Sequence, residues 1–384
     1  MQISKKLSKM HIFITIGLSL LMLLAVLVPV AHAQKVLDNR VNDAYDFPIK
    51  PGSEEWRSFR DHADMVEACQ VQESILNTMS TAGLVETVLN YPLRIDTFAY
   101  EDFQEGFEIV MSRSNALSEI LNRKDIATEL LAKYKALDPS VIDNIQTPLQ
   151  KGELMLGKVA FIEILLSQDA VINKMSELER LDLLAEVRIK HQIKQCEDDF
   201  YGHAIQQISS SLIECLTERQ WEERGDYCWA GYTTSIKTPK GSTVPNTLQW
   251  ISSCTDWTAQ EKAAVDAYWQ SVYPAAWKWG SSTFKYNCHS YAWHQQSTSN
   301  IIWIMASPSI YWTDGSYSYK GTYPSAWVQY RKMYYNGGDH SAVCMWYWDG
   351  ANLKGVTSKW GAGPLMNHLH NYSPYYDGDI KIYG

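Results

Sequence analysis

The stretch Tyr286-Asn287-Cys288-His289-Ser290-Tyr291-Ala292-Trp293 begins where a Gly/Ser-rich loop gives way to a helix-like run. Two strand-like segments follow it, Ser341 to Trp348 and Leu353 to Trp360, split by the turn pair Asp349-Gly350. Such runs around a tight turn predict a hairpin. A helix at Cys288 feeding antiparallel strands predicts an α+β domain with a small antiparallel sheet. Just upstream, Thr258 to Tyr273 reads as another helix, opened by Asp256 or Thr258 as its cap.

Working outward, the pattern changes character. From about Ser53 to Leu216 the apolar residues recur at helical steps. Phe107, Val110, Met111, Leu117, Ile120 and Leu121 form one such series, and Ile126, Leu130 and Tyr134 another. Asn90-Tyr91-Pro92 and Asp138-Pro139-Ser140 end two helical runs, because proline lacks the amide that a helix needs. A long pattern runs from Glu177 to Cys215. Between Thr217 and Thr247 helical periodicity stops and turn residues take over. The expected organisation is therefore an all-α domain at residues 34–218 and an α+β domain at 219–384.

Composition makes the same division. Of 15 tryptophans only Trp56 precedes residue 220. The 384 residues, 46% hydrophobic and 20% charged, suit a globular chain. Its net charge of −9 argues against wrapping a phosphate backbone, so no nucleic-acid partner is expected.

At the start, Lys5, Lys6 and Lys9 precede an apolar run from Ile12 to Val30 that ends in Ala31-His32-Ala33. These are the parts of a secretory signal peptide, expected over residues 1–33 with cleavage before Gln34. The run also approaches bilayer-spanning length, so a membrane association is expected only if it stays uncleaved. An exported chain is free to form disulfides, but seven cysteines leave at least one unpaired, and there is no Cys-x-x-Cys.

The residues that carry chemistry are those of the opening stretch, then Gly337-Gly338-Asp339-His340-Ser341-Ala342-Val343 and Thr357-Ser358-Lys359-Trp360-Gly361. A cysteine at a helix start is a nucleophile candidate, since unpaired amides and the dipole favour its thiolate. His340 at the mouth of a strand is the expected general base for Cys288. Ser358 is the expected residue orienting that imidazole, with Asn352 and His368 as rivals. The backbone amide of Cys288 with Tyr286 or Asn287 is expected to hold an oxyanion. His289, a helical neighbour pointing about 100° away, is expected to be structural or at the pocket rim with Trp360.

The order of these motifs, NCHSYAW, DHSAV and SKWGAGPL, resembles the papain-like cysteine peptidase superfamily in its NlpC-type and CHAP-type amidases. The resemblance spans roughly Ser235 to Gly384 and departs from the family at the third catalytic residue, where no carboxylate stands. It implies a papain-like fold and an exported thiol amidase or peptidase of the bacterial cell envelope. It also implies peptide or peptidoglycan stem peptides as substrate, and no cofactor.

Two other classes compete. Cys288, His289, His340, His368 and His370 could supply a metal site, although paired ligand spacing is lacking. The aromatic C-terminal half could instead be a catalytically inactive module stacking on cell-surface glycan or protein. His294 and Cys344 have core or surface readings. For the helical half, targeting, inhibition and docking of a protein all stay open.

Overall fold

Helix-forming periodicity and capping account for the first half. The computed structural model describes residues 43–217, 229–233, 236–251, 255–337, 340–348 and 352–384. The expected signal segment, the 218/219 boundary, Cys228, Cys254, Asp339 and the Asp349-Gly350 turn lie outside these residues. Thr81–Leu89 ends at Asn90, and Ile126–Ala136 ends before Asp138-Pro139. The Glu177 to Cys215 pattern resolves into two helices, Glu177–Cys196 and His203–Leu216. The first opens on a capping box in which Ser176 and Glu179 satisfy each other's backbone amides.

Inside this half a charged pair is wholly buried. Lys194 Nζ lies 2.6 and 2.7 Å from the two Glu163 carboxylate oxygens, and Tyr134 donates its hydroxyl to Glu163 Oε1 at 2.6 Å. Neither charge could stay buried without the other.

The second half is built on strands, numbered along the chain. They are β1 Trp229–Thr233, β2 Thr247–Trp250, β3 Trp277–Gly280, β4 Ile302–Ile304, β5 Tyr319–Thr322, β6 Lys332–Tyr335, β7 His340–Trp348, β8 Asn352–Lys359, β9 Leu365–His368 and β10 Ile380–Tyr383. A seven-stranded antiparallel sheet has the order β3-β9-β8-β7-β6-β10-β5, and β1-β2-β4 form a smaller one. The α+β expectation holds, with a main sheet larger than the small one expected. The expected hairpin is β7–β8, with Val343 opposite Thr357. The helix Ala259–Val272 begins at Thr258, which forms a capping box with Glu261.

The expected domain boundary is not a boundary between cores. Residues Ala44–Gly384 make one compact unit. Trp257, Trp269, Tyr273, Trp360 and Tyr372 share a core with Trp56, Ile95, Phe98 and Leu156 of the helical half. Trp56 Nε1 donates to Val272 O at 2.8 Å, and Tyr273 donates its hydroxyl to Asp96 Oδ1 at 2.7 Å. Gly361, at φ +48°, sits so close to the helical half that a Cβ would lie 2.6 Å from Ala99 O. Composition changes at the boundary because strands favour aromatics; burial ignores it.

Two outcomes follow from these contacts. A fragment beginning at Ile236, stripped of the partners of Trp269, Tyr273 and Trp360, should show no cooperative urea unfolding by tryptophan fluorescence. Lys194→Met should cost about 3–5 kcal/mol in the full chain by leaving a buried carboxylate unpaired. Adding Glu163→Gln should recover much of that loss.

Candidate functional site

Asn287 creates the local geometry. It caps a short helical stretch at residues 288–294, accepting from Ser290 N through Oδ1 at 3.0 Å. Cys288 is thus the first helical residue, as expected, and the stretch is π-wound over Ser290–His294. The Asn287 amide nitrogen is spent elsewhere: it donates to Ile304 O at 2.8 Å and to the Glu101 carboxylate. That commitment removes it from the expected oxyanion role. Tyr286 is buried, stacked with Tyr291 at 6.3 Å between ring centres.

The side chain beside the thiol is His289. Its Nδ1 lies 3.7 Å from Cys288 Sγ and 2.8 Å from Ser341 Oγ, which also accepts from Trp293 Nε1 at 2.9 Å. Adjacent residues at a helix start diverge at Cβ, yet the long imidazole turns back far enough to meet the sulfur. The expectation that His289 could not face the thiol is therefore corrected.

His340 is corrected in the opposite sense. Side chains alternate along a strand. On β7, Ser341 and Val343 face the Cys288 helix, whereas Ala342 and Cys344 belong to the core on the other face. His340 follows Ala342 and Cys344. Fully buried, it stacks on Tyr375 at 3.5 Å and 8° and meets Tyr335 edge-on at 5.1 Å. Among the described residues neither of its ring nitrogens has a hydrogen-bond partner, so the expected Cys288–His340 pair is not formed. Burial holds its pKa well below the ordinary histidine value, helped by His368 and His289.

Ser358 does not orient His340. Its Oγ lies 2.8 Å from His368 Nε2 and accepts from Trp360 Nε1 at 3.1 Å. His368 Nδ1 lies 2.6 Å from Leu369 O, which fixes the proton on Nδ1 and leaves Nε2 to accept from Ser358. Burial pushes the His368 pKa down to about 3. Trp360, expected at a pocket rim, is a core residue packed edge-on against Tyr273 at 4.8 Å and Trp269 at 5.3 Å. His370 lies apart, stacked on Tyr323 at 3.9 Å. Cys344 is buried with its thiol pKa raised to about 12 by desolvation, which makes it inert. The side chain of Asn352 lies outside what is described.

Sequence reasoning missed Lys359. Its side chain is fully buried on the sheet face that carries Ser341 and Val343, and Nζ donates to Thr283 O at 2.9 Å and to Gly361 O and Gly363 O at 2.6 Å each. The sequence offered little signal for it, since Lys359 follows Thr357-Ser358 in a strand that also carries Lys354.

Among the described residues no three His, Cys, Asp or Glu side chains converge as metal ligands, and Cys69, Cys196, Cys215, Cys288 and Cys344 are free thiols. No described helix is long and apolar enough to cross a membrane. No family model, curated protein or solved structure matches the chain.

The two buried imidazoles set a pH dependence. Both are neutral when folded and take up protons near pH ~6.5 when unfolded, so their contribution to stability should be full above that pH and fall steadily below it, against the opposite contribution of Glu261, whose pKa burial raises to about 7. Urea midpoints measured from pH 8 to pH 4 should show this slope, and His340→Phe should flatten it.

Proposed function

We propose that this protein is an exported thiol-dependent amidase or peptidase with Cys288 as its nucleophile. The carrying observation is the approach of Cys288 Sγ to His289 Nδ1, 3.7 Å, at the first residue of a helix. A thiol in that position is favoured as thiolate by the helix amides and by an imidazole able to take its proton. Cys288 Sγ attacks the amide carbonyl carbon, and His289 hands its proton to the departing amine. The thioester is then hydrolysed by water. Ser341, bridging His289 Nδ1 and Trp293 Nε1, holds the ring against the sulfur.

A helix-borne cysteine packed on an antiparallel sheet, in the order set by NCHSYAW, DHSAV and SKWGAGPL, supports a papain-like reading of the C-terminal half. The base departs from that reading, since His340 stacks on Tyr375 and makes no hydrogen bond to the thiol. Export and the resemblance together favour peptidoglycan stem peptides in the bacterial cell envelope as substrate. Cys288 is only 6% exposed, so substrate must displace what covers it. Its neighbour Asn287 is bonded to Glu101 of the first half.

A second reading has its own observation. Trp277 and Trp279 are 57% and 64% exposed on β3, an edge strand, where indole faces stack on sugar rings. A glycan-binding module predicts loss of polysaccharide retention in the Trp277→Ala, Trp279→Ala pair with Cys288→Ala indifferent.

For the amidase, Cys288→Ala should fold normally, abolish stem-peptide cleavage and abolish fast labelling by iodoacetamide. His289→Gln should lower turnover about 10²-fold or more, the range for a lost proton-transfer group, while His340→Gln keeps activity. An inactive His340→Gln beside an active His289→Gln would return the base to the strand.

A further inference from the structure

One buried cation of the main sheet has no anion. Lys332, on β6, is 7% exposed, and among the described residues its Nζ makes no hydrogen bond and no ion pair; what it meets is the Tyr317 ring, whose centre is 5.7 Å away. A ring face offsets only part of the cost of burying an ammonium. Lys359, another buried lysine of this sheet, shows the contrast, since three backbone carbonyls take its three N–H bonds. Those of Lys332 are unused. Burial lowers its pKa to about 8, which leaves it mostly charged at pH 7.

Strand register places this cation beside the candidate site. Lys332 stands opposite Val343 and Tyr383, and Tyr334 opposite Ser341 and Lys381, so these residues share the sheet face that carries Ser341. Tyr334 is two residues, about 7 Å, from Lys332 along β6. Its ring centre lies 6.3 Å from that of His289 and 5.4 Å from that of Trp312. Tyr317 meets Trp293 edge-on at 5.6 Å, and Trp293 donates to the Ser341 hydroxyl that also bonds His289. Trp312, Tyr317 and Tyr334 are half-buried. Tyr319, 56% exposed and edge-on to Tyr383 at 5.8 Å, carries the same aromatic surface out to solvent. The other charges here are engaged. Lys381 lies 3.5 Å from Asp379, which accepts from Asn336 at 2.7 Å; Asp314 accepts from Ser316 N at 2.8 Å and from the Thr238 hydroxyl. Neither acid pairs with Lys332.

We infer that Lys332, walled by Trp312, Tyr317 and Tyr334, is a binding site for a carboxylate of the peptide substrate. The carboxylate supplies the missing anion, and the apolar stem that bears it lies against the rings. A single lysine is a point charge suited to one carboxylate; a phosphate dianion calls for more donors than this site has. The run from Lys332 past Tyr334 to His289 is short enough for one short peptide to span. The inference deepens the amidase reading and rests on it for the link to Cys288, but carboxylate binding itself needs no reaction.

Binding is measured in the full-length Cys288→Ala chain, where no turnover intervenes. Three acetylated dipeptides are titrated by saturation-transfer NMR: Ala-Ala with a free C-terminus, Ala-Glu amide with only a side-chain carboxylate, and Ala-Ala amide with neither. At least one carboxylate peptide should bind about tenfold or more tightly than Ala-Ala amide, the range for a hydrogen bond to a charged group. Which one does so tells a terminal carboxylate from a side-chain one. Lys332→Met should erase the preference and Lys332→Arg should keep most of it, with the affinity of the amide unchanged in both. Should Lys332→Met fail to fold, the Lys332 signal of 13C-labelled lysine must still shift with the carboxylate peptide and not with the amide. Equal binding of acid and amide, a preference that survives Lys332→Met, or inorganic phosphate competing as well as the carboxylate peptides overturns the assignment. Stem-peptide cleavage without any carboxylate preference removes this site and leaves the amidase. A preference lost in Lys332→Met, with no cleavage by the unsubstituted chain, does the reverse.

Discussion

One buried carboxylate is bonded to both halves of this molecule. Asp96, 2% exposed, accepts from the Tyr273 hydroxyl at 2.7 Å and lies 2.9 Å from His62 Nε2. An unpaired carboxylate there would carry a heavy desolvation cost, so both partners are obligatory. Tyr273 ends the helix Ala259–Val272 and packs edge-on against Trp360 and Tyr372. One hydrogen-bonded ring thus fixes the position of β8's end relative to the helices. The loop bearing Cys288 follows, because Lys359, one residue before Trp360, holds Thr283.

That dependence explains why composition misled about domains while periodicity did not. The helices, the cap at Thr258 and the β7–β8 hairpin are local events, written in spacing and in residues such as Asn90, Pro139 and Thr258. A core is a long-range event. Trp269 and Trp360 look alike in sequence whether they pack on each other or on Ile95 and Phe98. Only the tertiary structure shows that they do both.

The candidate site divides in the same way. Cys288 at a helix start was legible, because a Gly/Ser loop and an Asn cap precede it. The base was not. His340 and Ser341 are neighbours on a strand, and which of them faces the helix is a matter of register parity that periodicity leaves undecided, since β7 is buried on both faces from His340 to Cys344. The structure turns Ser341 toward His289 and His340 toward Tyr375 and Tyr335. Ser358 and His368 share the His340 face, so their hydrogen bond belongs to the core on that side of the sheet.

The surroundings of Cys288 draw on both halves of the chain. His289, 3.7 Å from the sulfur, and Ser341, which bonds its ring, belong to the second half. The chain around the Cys288 loop is also tied to the first half. Glu101 binds Asn287, Ala99 O accepts from Tyr375, and Tyr100 donates to Pro374 O at 2.7 Å. The loop that carries Cys288 is therefore not positioned by the second half alone.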